Sequence, residues 1–173
     1  MQNVKLPIMV DPVRAAQNQL ELDAIIPKAL LSRLAESTIS IQSDIKTAFS
    51  FDIDKQKLRI FNGKASVAVE LICQRCNEPM IYQCEAEFKY CPVHNQEQEN
   101  NLPDAYEAIY YDENGEVNLH QVVEDELIVT LPQIAKHAIE ECQQSKFELT
   151  FGEVDEEKQR PNPFDALAQL KHK

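Results

Sequence analysis

The sequence predicts an α+β fold, an antiparallel β-meander core with flanking helices and a short C-terminal helix. Three patterns carry that expectation. The odd positions Ile39, Ile41, Ser43, Ile45, Thr47, Phe49, Phe51 and Ile53 alternate with mostly polar or small residues. Period two over this length describes a half-buried strand, or two strands joined near Ser43-Asp44. A second alternating set, Met80, Tyr82, Cys84, Ala86, Phe88 and Tyr90, opposes Gln83, Glu85, Glu87 and Lys89. Leu119, Val122, Val123, Leu127 and Leu131 recur instead at helical spacing.

Residues 1–10 read as a short strand. Asp11-Pro12 then starts a helix, because Asp can accept from free backbone N–H groups and Pro fits the first turn. A second helix is expected from Pro27 to about Glu36, with Leu30, Leu31 and Leu34 on one side. Asn62-Gly63 is flanked by Leu58 and Ile60 before it and by Ala65, Val67, Val69 and Leu71 after it. Two residues tolerant of positive φ predict a tight type I′ hairpin there, with Ile60 facing Ala65. Cys73-Gln74-Arg75-Cys76 falls in the loop between two antiparallel strands. His94 to Asn101 reads as a mobile loop, Ala108 to Tyr111 as a short strand and Asn114-Gly115 as a turn. Asn118, with Gln121 three residues on, resembles a helix cap. The expected organisation is one α+β domain over residues 1–150, with an acidic loop and helix at about 93–131. A tail, 151–173, ends in a short helix whose stripe is Phe164, Leu167 and Leu170. Alone in water so short a helix is unstable, so it docks on the body or on a partner.

The chain has 173 residues, with 17 Lys+Arg against 29 Asp+Glu and a formal charge of −12. Nonspecific binding to polyphosphate calls for a basic surface, so strong binding of naked RNA or DNA is not expected of the whole chain. Acidity of this kind can serve only to keep the protein soluble; a basic protein partner, and direct RNA contact through a local patch of Lys55, Lys57, Arg59 and Lys64, stay open. No Lys or Arg occurs between Tyr90 and Gln133, and ten carboxylates fall between Glu97 and Glu126. Glu124, Asp125 and Glu126 are expected opposite the apolar stripe of their helix, on a solvated face that a partner could use. The first residues carry no apolar run of signal-peptide length and nothing approaches a membrane span, so a reducing, cytoplasmic setting is expected.

In such a compartment a Cys-x-x-Cys pair serves metal or redox chemistry more often than a structural disulfide. Two thiolates of a strand-loop-strand knuckle can point at one zinc ion. Cys91 with His94, or His137 with Cys142, could complete the ligand set. Cys73, Cys76, His137 and Cys142 together would form a closed structural zinc site tying the C-terminal third to the hairpin. A metal-free thiol pair and a thiol-redox pair are the competing readings. The redox reading lacks the strand-to-helix setting that lowers a thiol pKa. Cys84 lies on an apolar face and reads as core. His120 and His172 read as isolated and solvent-facing. No Gly-x-x-x-x-Gly-Lys loop, Gly-x-Ser-x-Gly elbow or His-Glu-x-x-His is present, so no catalytic residues are assigned.

A set of short motifs runs through the chain in order: Val4-Lys5-Leu6-Pro7 with Asp11-Pro12, Leu58 to Leu71 with its Asn-Gly, and Cys73-Gln74-Arg75-Cys76. They continue with Leu102-Pro103-Asp104-Ala105-Tyr106-Glu107, Val123-Glu124-Asp125-Glu126-Leu127-Ile128 and Pro161-Asn162-Pro163-Phe164 through Leu170-Lys171. In this order the chain resembles the YceD family, the large ribosomal RNA subunit accumulation proteins. The resemblance implies a non-enzymatic role in synthesis, processing or stability of the large-subunit (23S) ribosomal RNA. It implies as partner a ribosomal or ribosome-assembly protein, or a large-subunit pre-ribosomal particle. Many relatives carry a second cysteine-rich segment after the acidic helix, where this chain has only His137 and Cys142.

Overall fold

A computed structural model describes residues 6–142. The expected tail helix, with Phe164, Leu167, Leu170 and His172, lies outside the described residues. In chain order the elements are β1 (Met9–Val10), α1 (Pro12–Gln17), β2 (Glu21–Ile26), a 3-10 turn (Lys28–Leu30), α2 (Ser32–Glu36) and β3 (Ser40–Ile41). Then follow β4 (Ile45–Ile53), β5 (Arg59–Ile72), β6 (Pro79–Val93), α3 (Gln96–Asn100), β7 (Glu107–Tyr110), β8 (Val117–Asn118) and α4 (Leu119–Val129).

The main sheet runs β2-β4-β5-β6-β7, with β3 also paired to β5, and β1 pairs with β8 as a separate two-stranded ladder. The predicted meander is present as β4, β5 and β6, all antiparallel. Two edges differ from expectation. β2, which the sequence reading did not identify, pairs antiparallel with β4 from Glu21↔Ser50 to Ile26↔Ile45. β7 pairs with β6 in parallel, reached by a crossover that contains α3. A parallel pair needs such a crossover, whereas a hairpin would have produced the antiparallel partner.

Along β5 and β6 the alternation holds. Phe61, Ala65, Val67, Val69 and Leu71 face the same core as Cys84, Ala86 and Phe88, while Lys64, Glu85 and Glu87 are exposed on the other face. α1, α2 and α4 supply Ala15, Ala16, Leu34, Leu119, Val122, Val123 and Leu127 to that core. Asp11 Oδ1 accepts from the N–H groups of Val13 and Arg14, each at 2.9 Å, which is the expected cap of α1. Asn118 Oδ1 accepts from Gln121 N at 3.1 Å and caps α4. Asn114-Gly115 lies in the predicted turn, closed by Gly115 N donating to Asp112 O, with Gly115 at a φ of +79°.

The predicted helix from Pro27 to Glu36 is divided at Leu31, whose φ of −108° and ψ of 74° are not helical. Leu31 and Leu34 are buried, but Leu30 is exposed. The expected loop from His94 to Asn101 contains α3, capped by Asn95 Oδ1 accepting from Gln98 N at 2.9 Å.

Asn62-Gly63 is not a turn. Both residues lie inside β5, where Asn62 sits between Ser50 and Lys89, and Gly63 between Phe49 and Phe88. The chain reverses earlier, where Asp54 Oδ1 accepts from Gln56 N and Leu58 N, both at 2.8 Å. Lys57 takes the positive φ of that turn, +64°, without a glycine. Gly63 is needed for space instead: a Cβ there would run into the ring of Phe88. That gap lets Phe49 and Phe88 meet edge to face, ring centroids 5.8 Å apart, across the strand between them. Gly63→Ala is expected to cost about 1–3 kcal/mol by overpacking, despite Ala being the better strand residue. Urea unfolding measures it, and Phe88→Leu in the same chain should recover part of the loss. Equal stability of Gly63→Ala and the parent would show that the ring is free to move aside.

Candidate metal centre

The long β5–β6 hairpin ends in a tight knuckle. Cys73 N donates to Glu78 O at 3.0 Å and Asn77 N to Cys73 O at 2.8 Å, with Asn77 at a φ of +59°. Asn tolerates that left-handed conformation better than most residues. The turn places Cys73 and Cys76 on one side of the loop, as the Cys-x-x-Cys spacing predicts.

After α4 the chain returns to this knuckle. Gln74 N donates to Ala135 O at 2.8 Å, and the Gln74 side chain donates to Gln133 O at 3.3 Å. A single turn, Cys142 N to Ala138 O at 3.1 Å, follows His137 and brings Cys142 back toward it. The ligand atoms of Cys73, Cys76, His137 and Cys142 all lie within 4.8 Å of one another. The structure therefore brings together all four residues expected from the sequence as zinc ligands. The other expected pair is elsewhere. Cys91 is buried at the opposite end of β6, and the His94 ring stacks on Tyr111 at 5.4 Å.

His137 Nε2 lies 3.2 Å from Pro79 O. A carbonyl only accepts, so Nε2 carries the hydrogen. Nδ1 then directs its lone pair toward the sulfurs, 3.4 Å from Cys76 Sγ. The His137 N–H points at Cys73 Sγ at 3.4 Å. Burial acts to raise the Cys73 thiol, but the N–H groups of His137, Cys76 and Arg75 outweigh it and lower the thiol to about 5. At Cys76 a backbone N–H from Glu78 acts to lower the thiol. Burial and the sulfurs of Cys73 and Cys142 prevail and raise it. Hydrogen bonding to Cys73 raises the His137 ring.

Arg75, inside the knuckle, is a contributor that the sequence reading did not single out. Its Nε donates to Cys142 Sγ at 3.0 Å and its Nη2 to His137 O at 2.9 Å. It places a positive charge beside the sulfur cluster and satisfies carbonyls of the returning segment. None of the five cysteines forms a disulfide. Cys73 is buried, which does not favour the thiol-redox reading, since exchange needs an accessible sulfur.

The acidic helix is arranged differently from expectation. Glu124, at 7% exposure, is turned inward. Its Oε1 accepts from Arg33 N at 2.7 Å and Leu34 N at 3.1 Å, and its Oε2 from Arg33 Nε at 3.2 Å. Asp125 is exposed and pairs with Arg33 Nη1 at 2.6 Å. Glu126 accepts from the hydroxyl of Tyr90, and burial, then this bond, pushes the phenol up. His120 is buried rather than solvent-facing, with Nε2 3.2 Å from Leu6 O. Of the basic patch, Lys64 pairs with Glu87 at 2.6 Å, while Lys55 and Lys57 sit in the β4–β5 turn. Among the described residues no helix is long and apolar enough to cross a membrane.

No solved structure matches the chain. A protein of Haemophilus influenzae, named large ribosomal RNA subunit accumulation protein YceD, is 46% identical over 174 residues, covering the whole of both chains. Residues 61–171 match the family described as large ribosomal RNA subunit accumulation protein YceD. That span includes the knuckle, α4 and the segment returning to the hairpin, and the chain belongs to the YceD family.

Proposed function

We propose that this chain is a non-enzymatic, cytoplasmic factor of large ribosomal subunit biogenesis. It supports synthesis, processing or stability of the large-subunit (23S) ribosomal RNA, acting as an acidic adaptor for a basic ribosomal or assembly protein. The observation that carries the first part is the full-length relative, whose printed name is accumulation of that RNA. The adaptor reading rests on charge. The stretch from Tyr90 to Gln133, which runs from the end of β6 through α4, is free of Lys and Arg. Glu97, Asp104, Glu107, Glu113 and Asp125 are exposed along it. Such a field attracts a basic partner and speeds encounter, in a salt-dependent way. Glu124 and Glu126, already engaged inside the molecule, contribute charge rather than contact. Phe164, Leu167 and Leu170 would add an apolar contact to the same partner.

Depletion in the native host should lower or misprocess the large-subunit RNA while the small-subunit RNA is unchanged. Complementation separates the two levels of the reading. A chain with Glu97, Asp104, Glu107 and Glu113 changed to Lys should lose co-sedimentation with large-subunit precursors and fail to restore the RNA. Full restoration by that chain would remove the adaptor mechanism and leave the biogenesis role. Unaltered RNA on depletion would remove both.

A further inference from the structure

We propose that Cys73, Cys76, His137 and Cys142 bind one structural zinc ion, and that this ion holds residues 133–142 against the tip of the β5–β6 hairpin. The ligand chemistry points to zinc: three thiolates and one imidazole nitrogen form a borderline-soft set that suits a tetrahedral ion. The geometry agrees. A tetrahedral zinc with bonds of about 2.3 Å to sulfur and 2.0 Å to nitrogen keeps its ligands roughly 3.5–3.8 Å apart. Cys76 Sγ and His137 Nδ1 are 3.4 Å apart, and all four ligand atoms fall within 4.8 Å of one another. Closing the site shortens the widest of these separations by at most about 1 Å, shared between two side chains.

The surroundings are those of a ligand sphere already oriented. Pro79 O fixes the Nε2–H tautomer of His137, leaving Nδ1 for the ion, and ligating histidines are commonly held in this way. The His137 N–H to Cys73 Sγ and Arg75 Nε to Cys142 Sγ contacts stabilise negative sulfur. Three thiolates around a divalent ion leave a net charge of −1, which the Arg75 guanidinium offsets. Four protein ligands leave no open position, so the ion organises the fold and activates no water.

The ion also has a defined mechanical task. Between Gln133 and Cys142 only Ala135 and Cys142 are buried, while Ile134 and Ile139 are exposed. So little apolar burial cannot by itself hold ten residues in place against their chain entropy. Binding free energy of a structural zinc can, since metal binding and local folding are one equilibrium.

The test uses the full chain purified under reducing conditions without chelator. Elemental analysis should find one zinc per chain. Chelation followed by cobalt(II) should give the visible bands of tetrahedral cobalt with thiolate charge transfer in the near ultraviolet. Trypsin should cut after the exposed Lys136 about tenfold faster once zinc is removed, and zinc should restore protection. Cys142→Ser should lose the ion, His137→Cys should keep it, and Cys84→Ala, outside the cluster, should keep it. Because chelation is done on the unmutated chain, a variant that fails to fold does not blur the result. Protein that contains no zinc, takes up none on titration and shows no change at Lys136 overturns the proposal. Protein that carries iron and prefers it to zinc overturns the choice of metal.

Discussion

Phe61→Ala is expected to remove about 3–5 kcal/mol of stability, the largest loss from any single side chain in the sheet. Phe61 is fully buried in β5 and stands directly opposite Phe51 on β4 and Tyr90 on β6. Its ring centroid is 5.3 Å from that of Phe51, 5.6 Å from Tyr90 and 6.3 Å from Phe49. Truncation therefore opens a cavity bordered on both sides by large rings that strand pairing holds in place. The neighbours cannot collapse into it without breaking register, so the cost belongs at the upper end of the range for such substitutions. A domain of this size is stable by only about 5–15 kcal/mol, so the variant should unfold at much lower urea with an unchanged slope. Phe61→Leu, which keeps most of the volume, should cost well under half as much. A loss below about 1 kcal/mol for Phe61→Ala would show that the aromatic row is loosely packed.

The same row shows where sequence reading succeeds and where it stops. Alternation placed Phe49, Phe51, Phe88 and Tyr90 on one face, because a strand's two-residue period is a local property. Asn62-Gly63 reads as a turn because Asn-Gly is a strong local turn signal. The real neighbours of Gly63, Phe49 and Phe88, are contributed by two other strands. The turn that does form depends on one Asp54 carboxylate and a Lys57 with positive φ, which advertise little. β2 carries little local signal, because Glu21-Leu22-Asp23-Ala24-Ile25-Ile26 is short and gains its definition from pairing with β4. The metal quartet was legible in part. The Cys-x-x-Cys knuckle follows from spacing and its strand-loop-strand position. Choosing His137 and Cys142 over Cys91 and His94 depends on α4 returning the chain to the hairpin tip, a tertiary fact. Arg75 could have been suspected as a cation between two thiols, but its carbonyl partners could not.

Glu124 is the case in which a helical pattern points the wrong way, and its substitution should be correspondingly costly. Its position among Glu124, Asp125 and Glu126 suggests a solvated face, yet α2 needs it. Leu31, the residue before α2, supplies no side-chain acceptor, so the first N–H groups of that helix lack a local cap. Glu124 provides the cap from 91 residues away: Oε1 accepts from Arg33 N, and also from Leu34 N. Removing it leaves two poorly solvated donors without partners, at about 1–3 kcal/mol each before relaxation. Glu124→Ala should therefore destabilise by about 2–4 kcal/mol, seen as a lower urea midpoint and faster amide exchange at Arg33 and Leu34. Arg33 is half-exposed and keeps Asp125, so it is not stranded and adds little to the loss. Glu124→Gln separates the two contributions. Its amide oxygen can still accept both backbone N–H groups, but its NH2 meets Arg33 Nε, which is also a donor. A loss well under half that of Glu124→Ala would assign most of the effect to the cap. Equal losses would assign it to the charge, and no loss in either variant would return Glu124 to the solvated face that its sequence neighbours suggest.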